Sequence, residues 1–269
     1  MAHREVNRVD SVPAPSSHSR LSADGPVLDG IPEHGRVPRY YAVKVELLAV
    51  IAELGEGAAL PTERELCERF AVSRATVRQA VGELVLEGRL SRRQGSGTFV
   101  AGPKLVQPLA LAGPAEGPRR QGVRPGRTAI TLERRPAGRA LAADLRVTSD
   151  AEVVHVERVL LADEERVGLE STYLLAERFP NLLEVFDPAQ SLDACLSEKL
   201  GVVFDGAEER VETVLATPRE ALLIGTNPAL PMLLTHRVAW GPDGVPFERV
   251  RSLYRGDRLS FTTRLGRAD

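Results

Sequence analysis

The stretch that decides the fold of the first half of the chain lies between residues 73 and 100. It reads Ser73-Arg-Ala-Thr-Val-Arg-Gln-Ala-Val81 and, after Gly88, Arg92-Arg-Gln-Gly-Ser-Gly-Thr-Phe-Val100. Its apolar residues recur at helical spacing: Val77, Val81, Leu84 and Val85. This pattern predicts a helix that begins after an N-cap at Ser73 and ends at Gly88. Two short strands, 90–93 and 98–101, follow and meet across a glycine-containing turn at 94–97, so we expect a β-hairpin.

Two further helices are predicted before this stretch. Thr62 and Glu65 have the spacing of a capping box, in which a hydroxyl and a carboxylate satisfy two free amides at a helix start. The helix that follows directs Leu66, Cys67 and Phe70 inward. An earlier helix runs from Arg39 to near Gly55, and its predicted buried face consists of Tyr41, Val45, Leu48 and Ile51. Two helices joined by a short turn, the second with a small and basic outer face, form the helix-turn-helix layout.

Composition limits the remaining classes of protein. The chain has 269 residues, which is long enough for two domains. Its formal net charge of −2 excludes a protein that coats nucleic acid by positive charge alone. No apolar run approaches the roughly 20 residues of a membrane helix, and we expect a cytoplasmic protein. Two distant cysteines and five histidines predict neither a disulfide nor a metal site, and no cofactor is expected. Residues 1–37 have the composition of a disordered tail.

The second half alternates short strands and helices. Predicted strands cover 128–134, 153–161, 167–175, 211–216, 233–240, 245–254 and 259–265. Predicted helices cover 136–145, 191–200 and 218–224, with Ser191 as a cap and Gly201 and Gly225 as stops. Because most successive strands are joined by hairpins and not by helical crossovers, an antiparallel α+β domain is expected.

Three linked motifs in the first half resemble the winged helix-turn-helix of the GntR family of bacterial transcription regulators. They are Leu60-Pro-Thr-Glu-Arg-Glu-Leu66, Val72-Ser-Arg-Ala-Thr-Val-Arg-Gln-Ala80 and Arg93-Gln-Gly-Ser-Gly-Thr-Phe-Val100. The second half resembles the effector-binding domain of the HutC subfamily, whose fold is similar to chorismate lyase. That resemblance rests on Arg158, Glu170-Ser-Thr-Tyr173, Ser191-Leu192, Leu200-Gly201 and Arg251-Ser-Leu-Tyr-Arg-Gly-Asp257. We assign 38–102 to the DNA-binding domain, 103–126 to a linker and 127–269 to the effector-binding and dimerisation domain.

The resemblance implies a homodimer that binds an inverted-repeat operator in double-stranded DNA, most often as a repressor. Arginine at the start of a recognition helix can form a bidentate pair with guanine, and wing residues can reach the backbone or the minor groove. The candidate DNA-binding residues are Arg64, Ser73, Arg74, Thr76, Arg78, Gln79, Arg92, Arg93, Gly95 and Gly97. For Gly95 and Gly97, turn geometry alone is the competing explanation.

The candidate effector-binding residues are Arg158, Leu160, Glu170, Ser171, Tyr173 and Tyr254. Relatives that bind sugar phosphates have an Arg-x-Arg pair where this chain has Arg158 and Leu160, and a hydroxyl-bearing helix start where it has Gly113-Pro-Ala-Glu-Gly-Pro118. These departures remove about one charge and two or three donors from an anion site. We therefore expect a carboxylate or a neutral metabolite more than a sugar phosphate. Arg158 can alternatively form a structural ion pair with Glu170, and the two tyrosines can be core residues.

Three functions remain in competition. The leading hypothesis is a ligand-responsive transcription factor. A constitutive DNA-binding regulator with a non-functional ligand pocket is the second. A chorismate-lyase-like enzyme is the third; against it, the sequence offers no metal cluster, phosphate loop or nucleophile with an identifiable base, and fold alone does not give function.

Overall fold

The computed structural model describes residues 38–93, 95–109 and 121–263. The tail at 1–37 and the 113–118 segment, for which we stated expectations, lie outside these residues. The helices of the described part are α1 Arg39–Leu54, α2 Glu63–Phe70, α3 Arg74–Leu86, α4 Gly138–Leu145, α5 Leu182–Val185, α6 Leu192–Ala194 and α7 Pro218–Ile224. Its strands are β1 Leu90–Arg93, β2 Gly97–Val100, β3 Leu105–Pro108, β4 Pro125–Pro136, β5 Glu152–Ala162, β6 Glu165–Leu175, β7 Gly206–Leu215, β8 Pro231–Trp240, β9 Pro246–Arg255 and β10 Leu259–Thr262.

The first three helices and the β1–β2 hairpin form a winged helix-turn-helix. The predicted capping box is present: the Thr62 hydroxyl accepts from the Glu65 amide, and the Glu65 carboxylate accepts from the Thr62 amide. Ala71 ends α2 in the left-handed conformation, and the Ser73 hydroxyl caps α3 as predicted. These caps fix both ends of the turn between α2 and α3. One apolar core joins the three helices to the hairpin through, among others, Leu47, Leu66, Val77, Leu84, Leu90 and Val100.

The predicted inner face of α1 is wrong at its first two residues, while Ile51 is buried and Leu48 packs partly buried against the core. Tyr41 and Val45 are 47% and 52% exposed, whereas Val43 and Leu47 are buried. The helix carries two apolar rows about a quarter-turn or more apart, and either satisfies a spacing of three and four residues. The row that contains Leu47 lies against α3, and Ile51 is the buried residue that the prediction shared with the observed face.

The second domain is built on a six-stranded antiparallel sheet in the order β4-β5-β6-β9-β8-β7, which confirms the predicted α+β class. Its two faces are covered by different elements. Helix α7 packs against one face through Ala221 and Ile224. On the other face, α6 and the π-helical turn that continues it at Cys195–Lys199 pack through Leu192 and Leu196. We call these the α7 face and the α6 face.

Several boundaries differ from the prediction. Strand β3 lies in the segment assigned to the linker and pairs in parallel with β10. Strands β4 and β7 begin earlier than expected, and α5 was not predicted. The helix capped by Ser191 has one α-helical turn and continues as a π-helix at Cys195–Lys199. Strands β3 and β10 are short and far apart in the sequence, so no local hydrophobic pattern indicates their parallel pairing.

The winged helix-turn-helix and the sheet domain meet at a close backbone contact. Gly88, directly after α3, adopts a φ of +70° and lies against the carbonyl of Asp257 in the turn between β9 and β10. The Lys104 ammonium donates a hydrogen bond of 2.7 Å to the carbonyl of Gly256 in the same turn. The turn is therefore connected both to the end of α3 and to the segment that leaves the wing.

Candidate functional site

The outer face of α3 presents two arginines near its N-terminal end. The side chains of Arg74 and Arg78 are 78% and 68% exposed. Each approaches the Glu63 carboxylate only at 3.9 and 3.8 Å, which is a weak interaction between solvated groups. Gln79 is also exposed on this helix, and Arg64 is exposed on α2. These side chains are open to a nucleic-acid partner.

Ser73 and Thr76 have a structural role at the same helix start. The Ser73 hydroxyl accepts from the Thr76 amide, and the two hydroxyl oxygens lie 2.9 Å apart within hydrogen-bonding distance. Such a cap holds the first turn of α3 in place and typically contributes about 1 kcal/mol. Both residues therefore position the arginines, whatever contacts they make with DNA.

The wing is a tight hairpin with arginines along one strand. Arg92 and Arg93 are both exposed, and the Arg93 guanidinium lies 4.5 Å from the centre of the Phe99 ring. Gly95 and Gly97 have φ angles of +73° and +117°, and a Cβ added at either would meet no atom within 4 Å. Their requirement for glycine within the chain is thus conformational.

The sheet register separates the predicted effector residues into two groups. Residues directly opposite one another on antiparallel strands share a face. Arg158 on β5 is opposite Glu170 on β6, whereas Glu157 is opposite Ser171 and His155 is opposite Tyr173. The expected pocket therefore does not lie on one face of the sheet, because Ser171 and Tyr173 are on the α7 face. The alternation of side chains shows which residues of one strand share a face. It does not show which residues of the neighbouring strand lie on that same face, because the register decides this.

On the α7 face, Ser171 and Tyr173 belong to a network of packed and paired groups. The Ser171 hydroxyl lies 3.5 Å from the Glu157 carboxylate, which forms a bidentate ion pair with Arg219 of α7. Arg219 holds the pKa of Glu157 below its usual range. Tyr173 stacks on His155 with ring centres 4.5 Å apart. These contacts support structural roles.

Arg158 and Glu170 form a buried ion pair on the α6 face, each about 3% exposed. A second guanidinium nitrogen of Arg158 donates 3.0 Å to the carbonyl of Gln190, just before α6. The structural ion pair that we gave as the alternative for Arg158 is therefore present. Leu160, the next residue on this face, packs with Tyr254 and Leu259 in an apolar cluster.

A cavity of about 40 Å³ lies over the α6 face, between the sheet, α6 and the β3–β10 pair. It has room for a few water molecules or a small head group. Glu170 and Tyr254, two of the predicted residues, line it. Sequence reasoning did not identify most of its other polar lining residues: Gln107, Thr172, Asp193, Glu209, Thr235, Arg237, Glu248 and Ser252.

Four carboxylates from four different elements face this cavity. Glu248 is 2% exposed, and burial, followed by repulsion from Asp193, raises its pKa to about 8. Burial also raises the pKa of Asp193 and that of Glu209. Glu170 is compensated directly by Arg158. Among the described lining residues, Arg237 is the one guanidinium.

Arg127 on β4 is a further charge close to this site. It is directly opposite Leu160, and its guanidinium interacts with the charges of Glu170, Arg158 and Asp193. Burial lowers its pKa. Leu160 is apolar where the resemblance implied a second strand arginine, but Arg127 supplies a guanidinium from the neighbouring strand. No single-strand motif could have indicated this exchange.

Among the described residues, no group of three or more His, Cys, Asp or Glu side chains is arranged to hold a metal ion. No helix in the described ranges is long and apolar enough to cross a membrane.

Comparison with known proteins agrees with both halves of this geometry. Residues 40–100 match the bacterial regulatory proteins of the gntR family, and residues 120–260 match the UTRA domain. The chain is 41% identical to the HTH-type transcriptional repressor PhnF of Mycolicibacterium smegmatis over 227 residues, 84% of this chain and 92% of that protein. It is 34% identical to the HTH-type transcriptional repressor NagR of Bacillus subtilis over 228 residues, 84% of this chain and 93% of that protein.

The crystal structure of PhnF from Mycobacterium smegmatis superimposes with a TM-score of 0.62 at 41% identity, covering 84% of this chain and all of that one. The predicted resemblance is confirmed over both domains, and the family is one of regulators, not of enzymes. The chain belongs to the GntR family of bacterial regulatory proteins, HutC type: it is a DNA-binding transcriptional regulator with a C-terminal UTRA domain for a small-molecule effector.

Proposed function

We propose that this regulator is a cytoplasmic repressor that binds an inverted-repeat operator as a homodimer. A small-molecule effector in the cavity on the α6 face releases it from DNA. The relatives PhnF and NagR are both named transcriptional repressors, which supports the direction of control. The observation that carries the proposal is the exposed arginine pair at the start of α3 within a capped helix-turn-helix.

Arg74 and Arg78 are the candidates for direct base contacts. They are four residues apart, so they project from one side of α3 and can reach neighbouring bases in one major groove. A bidentate arginine–guanine pair contributes about 1–3 kcal/mol of discrimination, roughly five-fold to more than hundred-fold in affinity. Gln79 and Arg64 lie beside them as secondary contacts to bases or phosphates.

The wing and the helix start supply the contacts that position the domain. Arg92 and Arg93 bring two positive charges to the hairpin, where they meet the phosphate backbone or the minor groove. Ser73 and Thr76 hold the first turn of α3, and the free tip at Gly95 and Gly97 allows close approach. Backbone contacts of this kind make affinity strongly dependent on salt.

A homodimer gives the second half of the recognition. Two identical winged helix-turn-helix domains related by a two-fold axis match a DNA site with the same symmetry, so an inverted repeat is expected. Effector binding then needs to favour a dimer geometry in which the two α3 helices no longer fit both half-sites. A coupling of about 1–3 kcal/mol gives a five-fold to hundred-fold loss of affinity.

The test is a fluorescence-anisotropy titration of the full chain with the DNA upstream of its own gene, followed by footprinting. Wild-type protein should protect an inverted repeat, and Arg74→Ala should lose at least ten-fold in affinity for it. Arg139→Ala is the matched control, because Arg139 is an exposed arginine on helix α4 of the other domain. We expect it to bind as wild type does.

Circular dichroism on both variants establishes that each is folded. Unchanged operator affinity for a folded Arg74→Ala variant would refute the assigned role of α3. Protection of an asymmetric site by a monomer would refute the homodimer on an inverted repeat.

A further inference from the structure

We propose that the effector of this regulator is an organic monocation, a protonated amine that also carries hydroxyl groups, and not a phosphate or a carboxylate. The inference rests on the proposed function, because it assigns a ligand class to the cavity on the α6 face. It also replaces our expectation from sequence of a carboxylate or a neutral metabolite. The argument depends on the charges that the described residues place around that cavity.

The described groups of the site carry an excess of negative charge. The carboxylates come from β6, α6's first turn, β7 and β9: Glu170, Asp193, Glu209 and Glu248. The guanidiniums that interact with them come from β4, β5 and β8: Arg127, Arg158 and Arg237. If all four acids were ionised, they would leave the described site one negative charge in excess of its three bases.

The guanidiniums are largely committed to the protein. Arg158 pairs with Glu170 and with the carbonyl of Gln190. Arg127 and Arg158 do not line the cavity, while all four carboxylates do. A ligand that enters therefore meets four acidic groups and, among the described lining residues, one basic group, Arg237.

Glu248 is the group whose charge the ligand would change. It is almost fully buried and interacts with the charges of Asp193, Arg237, Glu170 and Arg158. Its pKa of about 8 means that it is mostly protonated near pH 7. The bound proton neutralises the excess negative charge of the site. A bound ammonium removes the same excess by pairing with the carboxylate. An anion would instead add a charge beside four acids in a poorly hydrated space.

The remaining lining groups define the rest of the ligand. Hydroxyls on the cavity wall are provided by Thr172, Thr235, Ser252 and Tyr254. Together with carboxylates they accept and donate hydrogen bonds to hydroxyl groups. An amino alcohol or an amino sugar fits this combination, and the small volume favours a compact head group.

Cation binding and proton release are thus coupled at one carboxyl group. A ligand whose own amine stays protonated binds the deprotonated form of Glu248, so its affinity should rise with pH until about pH 8 and then level off. If one proton leaves for each ligand bound, the affinity changes about ten-fold per pH unit below that value. An anionic ligand would show the opposite pH dependence: it would bind with proton uptake, and its affinity would fall as pH rises.

The test uses two sets of probes matched in size and different in charge. The first is ethanolamine, ethylene glycol and glycolate, and the second is glucosamine, glucose and glucuronate. Thermal shift of the full-length protein at millimolar probe concentrations should show stabilisation by the amine of at least one set and by neither acid. Calorimetry of that amine in two buffers of different ionisation enthalpy should then show release of about one proton.

Variants identify the responsible carboxylate. Glu248→Gln should weaken binding of the amine at least ten-fold and abolish proton release. Glu209→Gln, at the open rim of the cavity, provides a second variant if the buried substitution does not fold, and it should weaken binding too. Glu208→Gln is the matched control. Glu208 is next to Glu209 on β7 but lies on the α7 face, so we expect this variant to bind the amine as wild type does.

Stabilisation by an acid in preference to its matched amine, proton uptake on binding, or no stabilisation by either amine would overturn the inference. Operator binding is measured separately. An acid that releases the operator would overturn the ligand class and leave the proposed function intact. An amine that binds with proton release but does not change operator affinity would overturn effector control and leave the ligand class intact.

Discussion

Replacing Gly88 by alanine should separate the winged helix-turn-helix from the sheet domain. Gly88 has a φ of +70°, where an alanine costs about 1 kcal/mol. A Cβ there would also lie 2.1 Å from the Asp257 carbonyl oxygen and 2.9 Å from its carbon. Because ordinary contacts of a Cβ begin near 3.4 Å, the two backbones must move apart by about 1.3 Å.

The Asp257 turn cannot easily make this movement. Arg255 holds the Asp257 carboxylate through two hydrogen bonds, of 2.7 and 3.1 Å, and also pairs with Glu165. Lys104 donates to the carbonyl of Gly256. Forcing extra volume into a fixed contact costs about 1–3 kcal/mol. Together with the cost of the backbone conformation, Gly88→Ala should destabilise the chain by about 2–4 kcal/mol.

Gly57→Ala is the matched control. Gly57 has a φ of +77° in the same domain, and a Cβ there would meet nothing within 4 Å. It should cost only about 1 kcal/mol, so the difference between the variants measures the contact with Asp257.

Urea unfolding can follow the two domains separately. The three helices of the first domain, two of them longer than any helix described in the sheet domain, dominate the far-ultraviolet signal, and Trp240, the single tryptophan, reports on the sheet domain. In wild-type protein we expect the two signals to change together. In Gly88→Ala the helical signal should change at lower urea than the tryptophan fluorescence. Equal stability of the two alanine variants with coincident transitions would refute the reasoning.

Two further predictions concern the sheet. Arg158→Met leaves the Glu170 carboxylate buried without its partner, so urea unfolding should show a free energy of unfolding lower by about 3–5 kcal/mol. Adding Glu170→Gln should largely restore that stability in the double variant. An Arg158→Met variant as stable as wild type would contradict the buried pair. The second concerns Glu157, whose pKa is lowered in the folded state by Arg219. Its stabilising contribution is therefore complete above the unfolded-state pKa and is lost as pH falls through the folded value. Glu157→Gln should lower the melting temperature at pH 7 and flatten its decline toward acid, and melting curves that stay parallel to wild type from about pH 3 to 7 would contradict this role.

The winged helix-turn-helix could be predicted because its signals are local. The capping box at Thr62 and the cap at Ser73 each involve residues three apart, and the inner face of α3 follows one apolar row. Helix α1 shows where local reasoning ends. Its two apolar rows are equally regular, and only the position of α3 decides that Leu47 is buried and Val45 is exposed.

The fold class of the sheet domain could be predicted from the sequence, but the residues that line its cavity could not. Hairpin pairs fixed the antiparallel arrangement, yet the cavity draws residues from β3, β6, α6, β7, β8, β9 and β10. Asp193 and Glu209 are far apart in sequence and share no motif. Strand alternation placed Arg158 and Leu160 on one face, but only the register between strands placed Ser171 on the other.

Two chain segments run from the cavity to the C-terminal end of α3, and we expect them to carry the proposed coupling between effector and DNA binding. On β9, Tyr254 lines the cavity and Asp257, three residues later, lies against Gly88. On β3, Gln107 lines the cavity and Lys104, three residues earlier, is bound to the same turn and leads directly back to the wing. Each segment is short and begins in a strand at the cavity, so we expect a displacement at the cavity wall to reach the turn at Asp257. We therefore expect Gly88→Ala to reduce the effector's influence on operator affinity more than Gly57→Ala does, and equal influence in the two variants would mean that coupling follows another route.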